Sequence, residues 1–265
     1  MKFALSTLGL PGMPIADVAR LAARTGYHGV ELRAHPEEPV HPGIGMRERK
    51  AAAREFQERG IEILAVAGYA RVAQPLNPGD LADLVRLAHD LGARFVRVFP
   101  GGDGTPAADA RAVQQLCETA QLARDSGVRV LLETHDSHRT GAAAAALLDR
   151  VGEEGVGEKG VGALWDVMHT WLGGETPAES FARLEPHLGY TQVKDIASTE
   201  DTTPLPLGKG VLPLGECLAL LPPDGWVCWE YEKRWYPGAA PLPGLLAAGR
   251  EYLTRAARGG AGAEG

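Results

Sequence analysis

Leu164-Trp165-Asp166-Val167-Met168-His169 places an acid directly after an apolar run and a histidine three residues beyond that acid. The run that leads into it, Val161 to Trp165, is short and apolar, as expected of a parallel strand that is buried on both faces. Three other apolar runs also end in polar side chains, namely in Glu133-Thr134-His135, in Lys194-Asp195 and in Glu230-Tyr231-Glu232. Four strands that finish in such groups predict a functional site where their carboxyl ends meet.

Glycines recur through the first half of the chain at near-regular intervals, each at the end of a helix-like segment and before a short apolar run. These glycines are Gly26, Gly60, Gly92 and Gly127. Glycine just past a helix end supplies the left-handed conformation that other residues resist. The segments between them show a helical apolar period, for example from Leu81 to Leu91. Alternating strands and helices at this interval predict β/α units in one parallel sheet.

The second half continues this alternation less regularly. Its predicted elements are a helix from Thr140 to Val151, a strand from Val161 to Trp165, a helix that begins near Thr176-Pro177, a strand from Tyr190 to Val193, a loop from Ile196 to Leu214, a strand from Trp226 to Glu230 and a helix from Leu242 to Ala257. With Lys2 to Ser6 as the first strand, the chain has eight strands. We therefore predict an α/β fold, a single (β/α)8 TIM barrel over residues 1–257, with a flexible tail over residues 258–265. A doubly wound open sheet is the alternative, but no Gly-x-Gly-x-x-Gly motif follows the first strand.

Composition excludes several classes of partner. The 265 residues carry a formal net charge of −7 without a basic run, which argues against nucleic acid and anionic membrane surfaces. Cys117, Cys217 and Cys228 are sparse and odd in number, as in proteins of reducing compartments. The N-terminal residues enter a strand without a charged and apolar leader, and no apolar run is long enough to span a bilayer. We expect a cytoplasmic protein that acts on a small molecule, while its oligomeric state stays open.

The strand ends supply a set of candidate site residues that should share one pocket. They are Glu31 and Arg33, Glu133 and His135, Asp166 and His169, Gln192 and Lys194, and Glu230 and Glu232. Residues two apart on a strand point the same way, so each such pair can lie on one wall of the pocket.

These residues resemble those of the xylose isomerase-like barrels, specifically the group of sugar phosphate isomerases and epimerases. The resemblance covers nearly the whole chain and rests on five motifs. They are Gly26-Tyr27-His28-Gly29-Val30-Glu31-Leu32, Glu133-Thr134-His135, Asp166-Val167-Met168-His169, Val193-Lys194-Asp195 and Gly225-Trp226-Val227-Cys228-Trp229-Glu230-Tyr231-Glu232. Each motif alone is weak, but their order and strand-end placement together are fairly specific for the superfamily.

The resemblance implies one divalent metal ion held by residues of strands five to eight. Carried over, the ligands are Glu133, Asp166, Gln192 and Glu230, with Gln192 where the family has a histidine. A glutamine oxygen can ligate a hard cation, so the set favours Mn²⁺ or Mg²⁺, with Zn²⁺ or Co²⁺ as alternatives. Glu133 and Asp166 could instead be structural carboxylates paired with Arg or Lys. Glu232 competes with Glu230 as the last ligand, or it binds substrate or pairs with Lys194 or Arg234.

The resemblance also implies a sugar isomerase or epimerase that moves a proton next to a carbonyl group. Glu133 and Glu230 are the candidate proton carriers, with His169 and Lys194 as further catalytic groups. Substrate binding falls to Glu31, Arg33, His135 and Glu232. Each of these has a plainer explanation, such as a Glu31–Arg33 pair, a Lys194–Asp195 pair, or histidines that merely begin a loop.

Three other functions are weighed against the isomerase. A keto-sugar or inosose-type dehydratase would use the same first step and then expel hydroxide. A catalytically silent sugar-binding barrel is conceivable because the strand-seven histidine is missing. An apurinic endonuclease fits poorly, since that family gathers more histidines and must face phosphates, whereas this chain is acidic and has eight histidines.

Two glycine-rich segments and three tryptophans also have more than one interpretation. Gly101-Gly102-Asp103-Gly104 could cradle a phosphate or form a plain turn. Leu207-Gly208-Lys209-Gly210 could cover the site as a flap or lie on the surface. Trp235 could stack on a sugar, whereas Trp165 and Trp229 are expected to fill barrel or helix-facing space.

Overall fold

Eight parallel strands close into a barrel in the computed structural model, which describes residues 1–77, 79–156 and 160–259. Each strand pairs with the next along the chain, and β8 pairs with β1. The strands are β1 (Lys2–Ser6), β2 (Gly29–Arg33), β3 (Glu62–Arg71), β4 (Phe95–Phe99), β5 (Arg129–Glu133), β6 (Val161–Asp166), β7 (Leu188–Val193) and β8 (Trp226–Trp229). The predicted single (β/α)8 barrel is therefore confirmed, and the open sheet is excluded.

Helices surround the strands. They are α1 (Ile15–Arg24), α2 (Met46–Gln57), α3 (Asp80–Leu91), α4 (Pro106–Asp125), α5 (Gly141–Val151), α6 (Val167–Leu172), α7 (Pro177–Leu184), α8 (Leu214–Leu220) and α9 (Leu246–Gly259). The four spaced glycines all have positive φ, between 65° and 76°, as their predicted role requires. Thr176 caps the start of α7, because its hydroxyl accepts from the backbone N–H of Glu179.

The sequence patterns did not predict α6 and α8. The two helices have six and seven residues, too few to show a clear helical period. Helix α9 continues to Gly259, and residues 260–265 of the predicted tail lie outside the described residues, as do residues 157–159 of the loop before β6. Among the described helices, none has both the length and the apolar character that a membrane crossing requires.

Alternate residues of each strand face opposite sides of the sheet, which divides the buried residues into two groups. One group faces the helices and includes Val130, Leu132, Trp165 and Trp229. The other fills the interior of the barrel. It consists of Ala4, Leu64, Ala65, Leu131, Leu164, Tyr190, Trp226 and Cys228, with Phe95 packed against it. We call this second group the barrel floor.

Candidate active site at the barrel mouth

The barrel mouth begins one inward-facing residue beyond the floor. On β5, Glu133 follows Leu131, and on β6, Asp166 follows Leu164. The same step leads from Tyr190 to Gln192 and then Lys194, and from Cys228 to Glu230 and then Glu232. Because residues two apart point the same way, strands β5 to β8 each line the floor and also contribute to the mouth. The structure thus brings together most of the predicted strand-end residues.

Three carboxylates form the centre of the mouth. Glu133, Asp166 and Glu230 each place an oxygen within 4.8 Å of the others, and all three side chains are buried. The position of Asp166 is fixed on its backbone by Thr134, whose hydroxyl accepts from the Asp166 N–H at 2.9 Å and donates to its carbonyl at 3.2 Å. Asp166 Oδ1 also accepts the N–H groups of Met168 and His169, so this side chain caps the start of α6. The N–H groups at the start of the short helix α6 therefore orient the Asp166 carboxylate.

Lys194 lies among these carboxylates rather than beside Asp195. Its Nζ is 2.7 Å from Asp166 Oδ2 and 2.8 Å from Glu232 Oε1, and it also pairs with Glu230 Oε2. Burial alone would lower the pKa of Lys194, but the carboxylates, Asp166 first, raise it well above its usual range. Lys194 therefore stays protonated and positively charged in the site.

Asp195 points the other way and holds the loop that follows β7. Its Oδ2 accepts the N–H groups of Gly208 at 2.8 Å and Gly210 at 2.9 Å, and its Oδ1 accepts that of Leu212 at 3.3 Å. Gly208 also lies against the ring of Tyr252 on α9, where an added Cβ would come within 2.3 Å of that ring. The loop is thus anchored to the barrel wall and is not a free flap.

Arg97 is a site residue that the strand-end analysis missed. It lies in the middle of β4, is buried, and places Nε 3.1 Å from Glu133 Oε2. Burial would lower the pKa of Arg97, but Glu133, Glu230 and Glu31 raise it, so the guanidinium stays charged. The sequence does contain a signal for Arg97: a charged residue inside the apolar run Phe95 to Phe99 needs a partner of opposite charge when the strand is buried.

Glu31 connects the mouth to the floor. The Tyr190 hydroxyl donates to Glu31 Oε2, and Gln192 Nε2 donates to the same oxygen at 2.8 Å and to Glu230 Oε1 at 3.2 Å. Burial raises the pKa of Glu31, and the negative charge of Glu230 raises it further. Glu31 therefore pairs with Tyr190 and Gln192, and the alternative Glu31–Arg33 pair is absent from the described residues.

His135 and His169 lie together beside Glu133. Their ring centroids are 4.1 Å apart, and with Glu133 they form a second group of possible ligand atoms within 4.8 Å of one another. Burial lowers the pKa of His135 and lowers that of His169 well below its ordinary value, so both rings are neutral near pH 7. Asp136, whose carboxylate lies 2.8 Å from His135 Nδ1, has φ of 45°, which is unusual for a residue other than glycine.

Among the described residues, Arg33 forms no ion pair or hydrogen bond with Glu133, Asp166 or Glu230. Its Nη1 pairs with Glu38 Oε1 at 2.7 Å, and its Nε donates to the Tyr69 hydroxyl at 2.7 Å. The exposed ring of Trp235 lies near the guanidinium, with its centroid 5.7 Å from Cζ. Trp165 and Trp229 are fully buried on the helix-facing side, which leaves Trp235 as the one of the three tryptophans that a sugar could reach.

The residues around the mouth form what we call the carboxylate cluster. It consists of Glu31, Glu133, Asp166, Glu230 and Glu232, together with the cations Arg97 and Lys194. Five carboxylates and two cations give a formal net charge of −3 in a buried space. Burial raises the pKa of Glu232, and raises that of Glu133 well above its ordinary value although Arg97 opposes the shift. The cluster therefore favours uptake of positive charge, as protons or as a cation.

Three buried oxygens indicate where a cation would fit. Glu133 Oε2 and Asp166 Oδ2 each face a cation of the protein, Arg97 Nε at 3.1 Å and Lys194 Nζ at 2.7 Å, and Gln192 Oε1 has no hydrogen-bond partner among the described residues. A buried polar atom without a partner calls for a functional explanation, such as a bound ion. All three belong to residues that the sequence assigns to the metal, and oxygen ligands suit hard divalent ions. The residues present therefore fit a divalent cation.

The loop Gly101-Gly102-Asp103-Gly104 borders an open cavity beside the mouth. The cavity has a volume of about 570 Å³, and the side chains of Arg71, Arg139 and Ser137 also line it. The Gly102 N–H donates to Ser137 Oγ at 3.2 Å, and Gly101 and Gly104 have positive φ. The chain forms a bend at Gly104, and the choice between a phosphate cradle and a plain turn stays open.

Comparison with known proteins agrees with this architecture. A family model described as xylose isomerase-like TIM barrel matches residues 19–256. No curated protein matches the sequence significantly. Among solved structures, the probable 3-DHS dehydratase AsbF of Bacillus anthracis is 20% identical, with a TM-score of 0.79, and the match covers 96% of this chain and 99% of that one.

Other solved structures carry different activities on the same fold. D-Psicose 3-epimerase from Clostridium cellulolyticum H10, solved with D-tagatose, is 16% identical with a TM-score of 0.79, covering 97% of this chain and 99% of that one. The IOLI protein with a bound zinc atom is 16% identical with a TM-score of 0.74, covering 98% of this chain and 99% of that one. At such identities the structures demonstrate a shared fold alone. Together with the family model, which spans most of the sequence, they lead to one conclusion: the chain belongs to the xylose isomerase-like TIM-barrel family.

Proposed function

We propose that the protein is a metal-dependent isomerase or epimerase that moves a proton at a carbon next to the carbonyl group of a sugar-like substrate. The observation that carries the proposal is the meeting of buried oxygens of Glu133, Asp166 and Glu230 within 4.8 Å of one another. Glu133, Asp166, Gln192 and Glu230 would hold the ion, with Mn²⁺ or Mg²⁺ favoured over Zn²⁺ or Co²⁺ because the donors are oxygens. A bound divalent ion supplies polarisation of the substrate carbonyl, which makes the neighbouring C–H acidic.

Glu133 is the residue to which we assign proton abstraction. Burial raises its pKa well above the ordinary value, and a carboxylate with a raised pKa is a stronger base toward a C–H proton. Arg97 lies 3.1 Å from Glu133 Oε2, limits this rise and orients the carboxylate.

Glu230 is assigned the return of the proton on the other side of the reacting carbon. Lys194 and Gln192 engage its two oxygens, so one of these contacts must give way before Glu230 can act. Lys194 and His169 complete the group around the reacting carbon, with His135 and Glu232 beside them for substrate hydroxyls. Glu31 and Arg33 are also assigned to substrate binding.

A dehydratase on the same site is the second candidate, and the pair formed by Glu133 and His169 favours it. The raised pKa of Glu133 keeps its proton to higher pH, while the lowered pKa of His169 leaves a neutral imidazole that can accept one. A dehydratase needs such an acid and base at adjacent positions, because a proton leaves carbon and another must reach the departing hydroxide. One structural neighbour is a probable dehydratase, which is consistent with this alternative.

Deuterium exchange tests the proposal and separates the two candidates. Purified protein with Mn²⁺ in D₂O is incubated with ketoses such as D-fructose and D-tagatose, with keto-inositols and with 3-DHS, and exchange is followed by NMR. We expect one compound to exchange its α-hydrogen, and Glu133→Gln to stop that exchange while Glu118→Gln, an exposed glutamate of α4, leaves it intact.

The product then names the reaction. Inverted stereochemistry means an epimerase, a moved carbonyl means an isomerase, and a new enone absorbance means a dehydratase. Exchange that persists in Glu133→Gln would contradict the assignment of that residue. A panel without any exchange, measured on metal-loaded protein, would favour a silent sugar-binding barrel.

A further inference from the structure

Lys194 occupies the place where the central carboxylates need positive charge. Its side chain is 3% exposed, and Nζ lies 2.7 Å from Asp166 Oδ2 and against Glu230 Oε2. These two residues are also members of the set that would hold a divalent ion. The lysine and the ion therefore compete for the same two carboxylates.

Asp166 makes this competition unavoidable, because it has only one oxygen to offer. Its Oδ1 accepts the N–H groups of Met168 and His169 at the start of α6. Only Oδ2 faces the carboxylate cluster, and the Lys194 ammonium is the cation beside it. An ion bonded to Oδ2 would lie within a few ångströms of Nζ, where two cations in a buried site repel strongly.

Glu230 leads to the same conclusion from the other side. Its Oε2 is paired with Lys194, and its Oε1 accepts from Gln192 Nε2 at 3.2 Å. While the ammonium is in place, Gln192 presents its N–H₂ group to the cluster, and its buried Oε1 is left without a hydrogen bond. An ion that replaced the ammonium would take its place beside Glu230 Oε2.

We propose that Lys194 is a resident counter-cation that a divalent ion displaces from Asp166 and Glu230, so that this lysine sets the metal affinity of the site. Glu232 gives the displaced ammonium a place to remain. It lies 2.8 Å from Nζ, and its side chain is more exposed than those of Asp166 and Glu230. The inference rests on the proposed function only in requiring that the site binds a divalent ion.

Calorimetric titration of metal-free protein with Mn²⁺, Mg²⁺ and Zn²⁺ tests the inference. In Lys194→Met the competing charge is gone, and we expect each ion that binds the wild type to bind at least about tenfold more tightly. Lys50→Met removes the same charge from the exposed surface of α2 and should leave the affinity unchanged. Unchanged or weaker binding by folded Lys194→Met would overturn the proposal.

A measurement on the wild type does not depend on how that variant folds. In protein labelled with ¹⁵N-lysine, the buried Lys194 ammonium should give a signal that Lys194→Arg lacks. We expect this signal to shift during titration with Mg²⁺ or Zn²⁺, with the same midpoint as the heat of binding. Metal binding that leaves the Lys194 signal in place would overturn the proposal while leaving the proposed function intact. An absence of metal binding by both wild type and Lys194→Met would overturn the proposal and the metal-dependent function together.

Discussion

Strands β5 to β8 build both the barrel floor and the barrel mouth, one inward-facing residue apart, yet the two layers have opposite chemistry. The floor is a closed apolar layer that includes Leu131 and Leu164. The mouth begins at Glu133 and Asp166 and carries a formal net charge of −3 over the carboxylate cluster. Burial of the apolar floor residues stabilises the folded state, whereas burial of the charged mouth residues costs free energy. Burial of the apolar layer must therefore offset the free-energy cost of the buried charges in the mouth.

Tyr190 marks the border between the two layers. Its ring belongs to the floor and packs near Phe95, with centroids 5.5 Å apart, while its hydroxyl reaches Glu31 in the mouth. A tyrosine suits this position because it combines an apolar body with a polar tip. The border therefore lies within one side chain on β7.

The strongest test of the comparison removes charge from the mouth. Glu133→Gln combined with Asp166→Asn should abolish metal binding and α-hydrogen exchange, because two of the three central carboxylates lose their charge. The fold should persist, since the amides keep the shape of the side chains and the floor is untouched. Elemental analysis after dialysis and circular dichroism melting measure the two effects. Full metal occupancy in the double variant would refute the metal site.

The complementary test removes volume from the floor. Leu131→Ala should lower the free energy of unfolding by about 3 kcal/mol, because it leaves a cavity in a fully buried layer. Metal bound per folded molecule should stay at the wild-type level, since Leu131 offers no ligand atom. Chemical denaturation and metal titration on the same sample check both parts. A large loss of metal at full folding would mean that floor and mouth are not separable.

Gln192 allows a finer test, because it is the mouth residue that departs from the family pattern. Gln192→Leu should weaken metal binding by about tenfold or more if the amide oxygen is a ligand. Gln192→His should retain binding and shift preference toward softer ions such as Zn²⁺. Titration of each variant with Mn²⁺ and Zn²⁺ separates a ligand from a substrate-orienting group. If Gln192 only orients the substrate, Gln192→Leu should raise KM and leave metal affinity unchanged.

The smallest expected effect is a dependence of stability on pH in the metal-free protein. Burial raises the pKa of Glu133 from its ordinary value of 4.5, so the folded state holds this proton where the unfolded chain has released it. The free energy of unfolding from this group therefore falls as pH rises above 4.5 toward the folded pKa. Melting temperatures between about pH 5 and 8 should fall less steeply in Glu133→Gln than in Glu118→Gln. Equal slopes in the two variants would contradict the raised pKa.

The barrel and its strand ends were predictable because both depend on local patterns. Spaced capping glycines and short apolar runs define the β/α units, and the residue after each run must lie at the carboxyl end of the sheet. Glu133 and Asp166 were found in this way, since each ends its strand. The family resemblance added the metal and the reaction class as expectations.

The partners of each side chain were not predictable, because they depend on contacts across the barrel. Glu31 meets Tyr190, a residue 159 positions away, and no local pattern specifies which strands face each other or at what height. Arg97 was missed because it lies within its strand rather than after it. Whether Lys194 pairs with Asp195 or with the other acids likewise depends on the pleat and register of β7.

Lys194 and Asp195 are adjacent in the chain, and their opposite directions bear on how β7 finds its register during folding. A slip of one residue would reverse both side chains. Asp195 would then enter a cluster that already holds five carboxylates, and Lys194 would face the backbone N–H groups of Gly208 and Gly210. Both encounters are repulsive, so the misregistered strand is penalised on its two faces at once. The charge pattern that equips the site also acts as a check on correct assembly of the barrel.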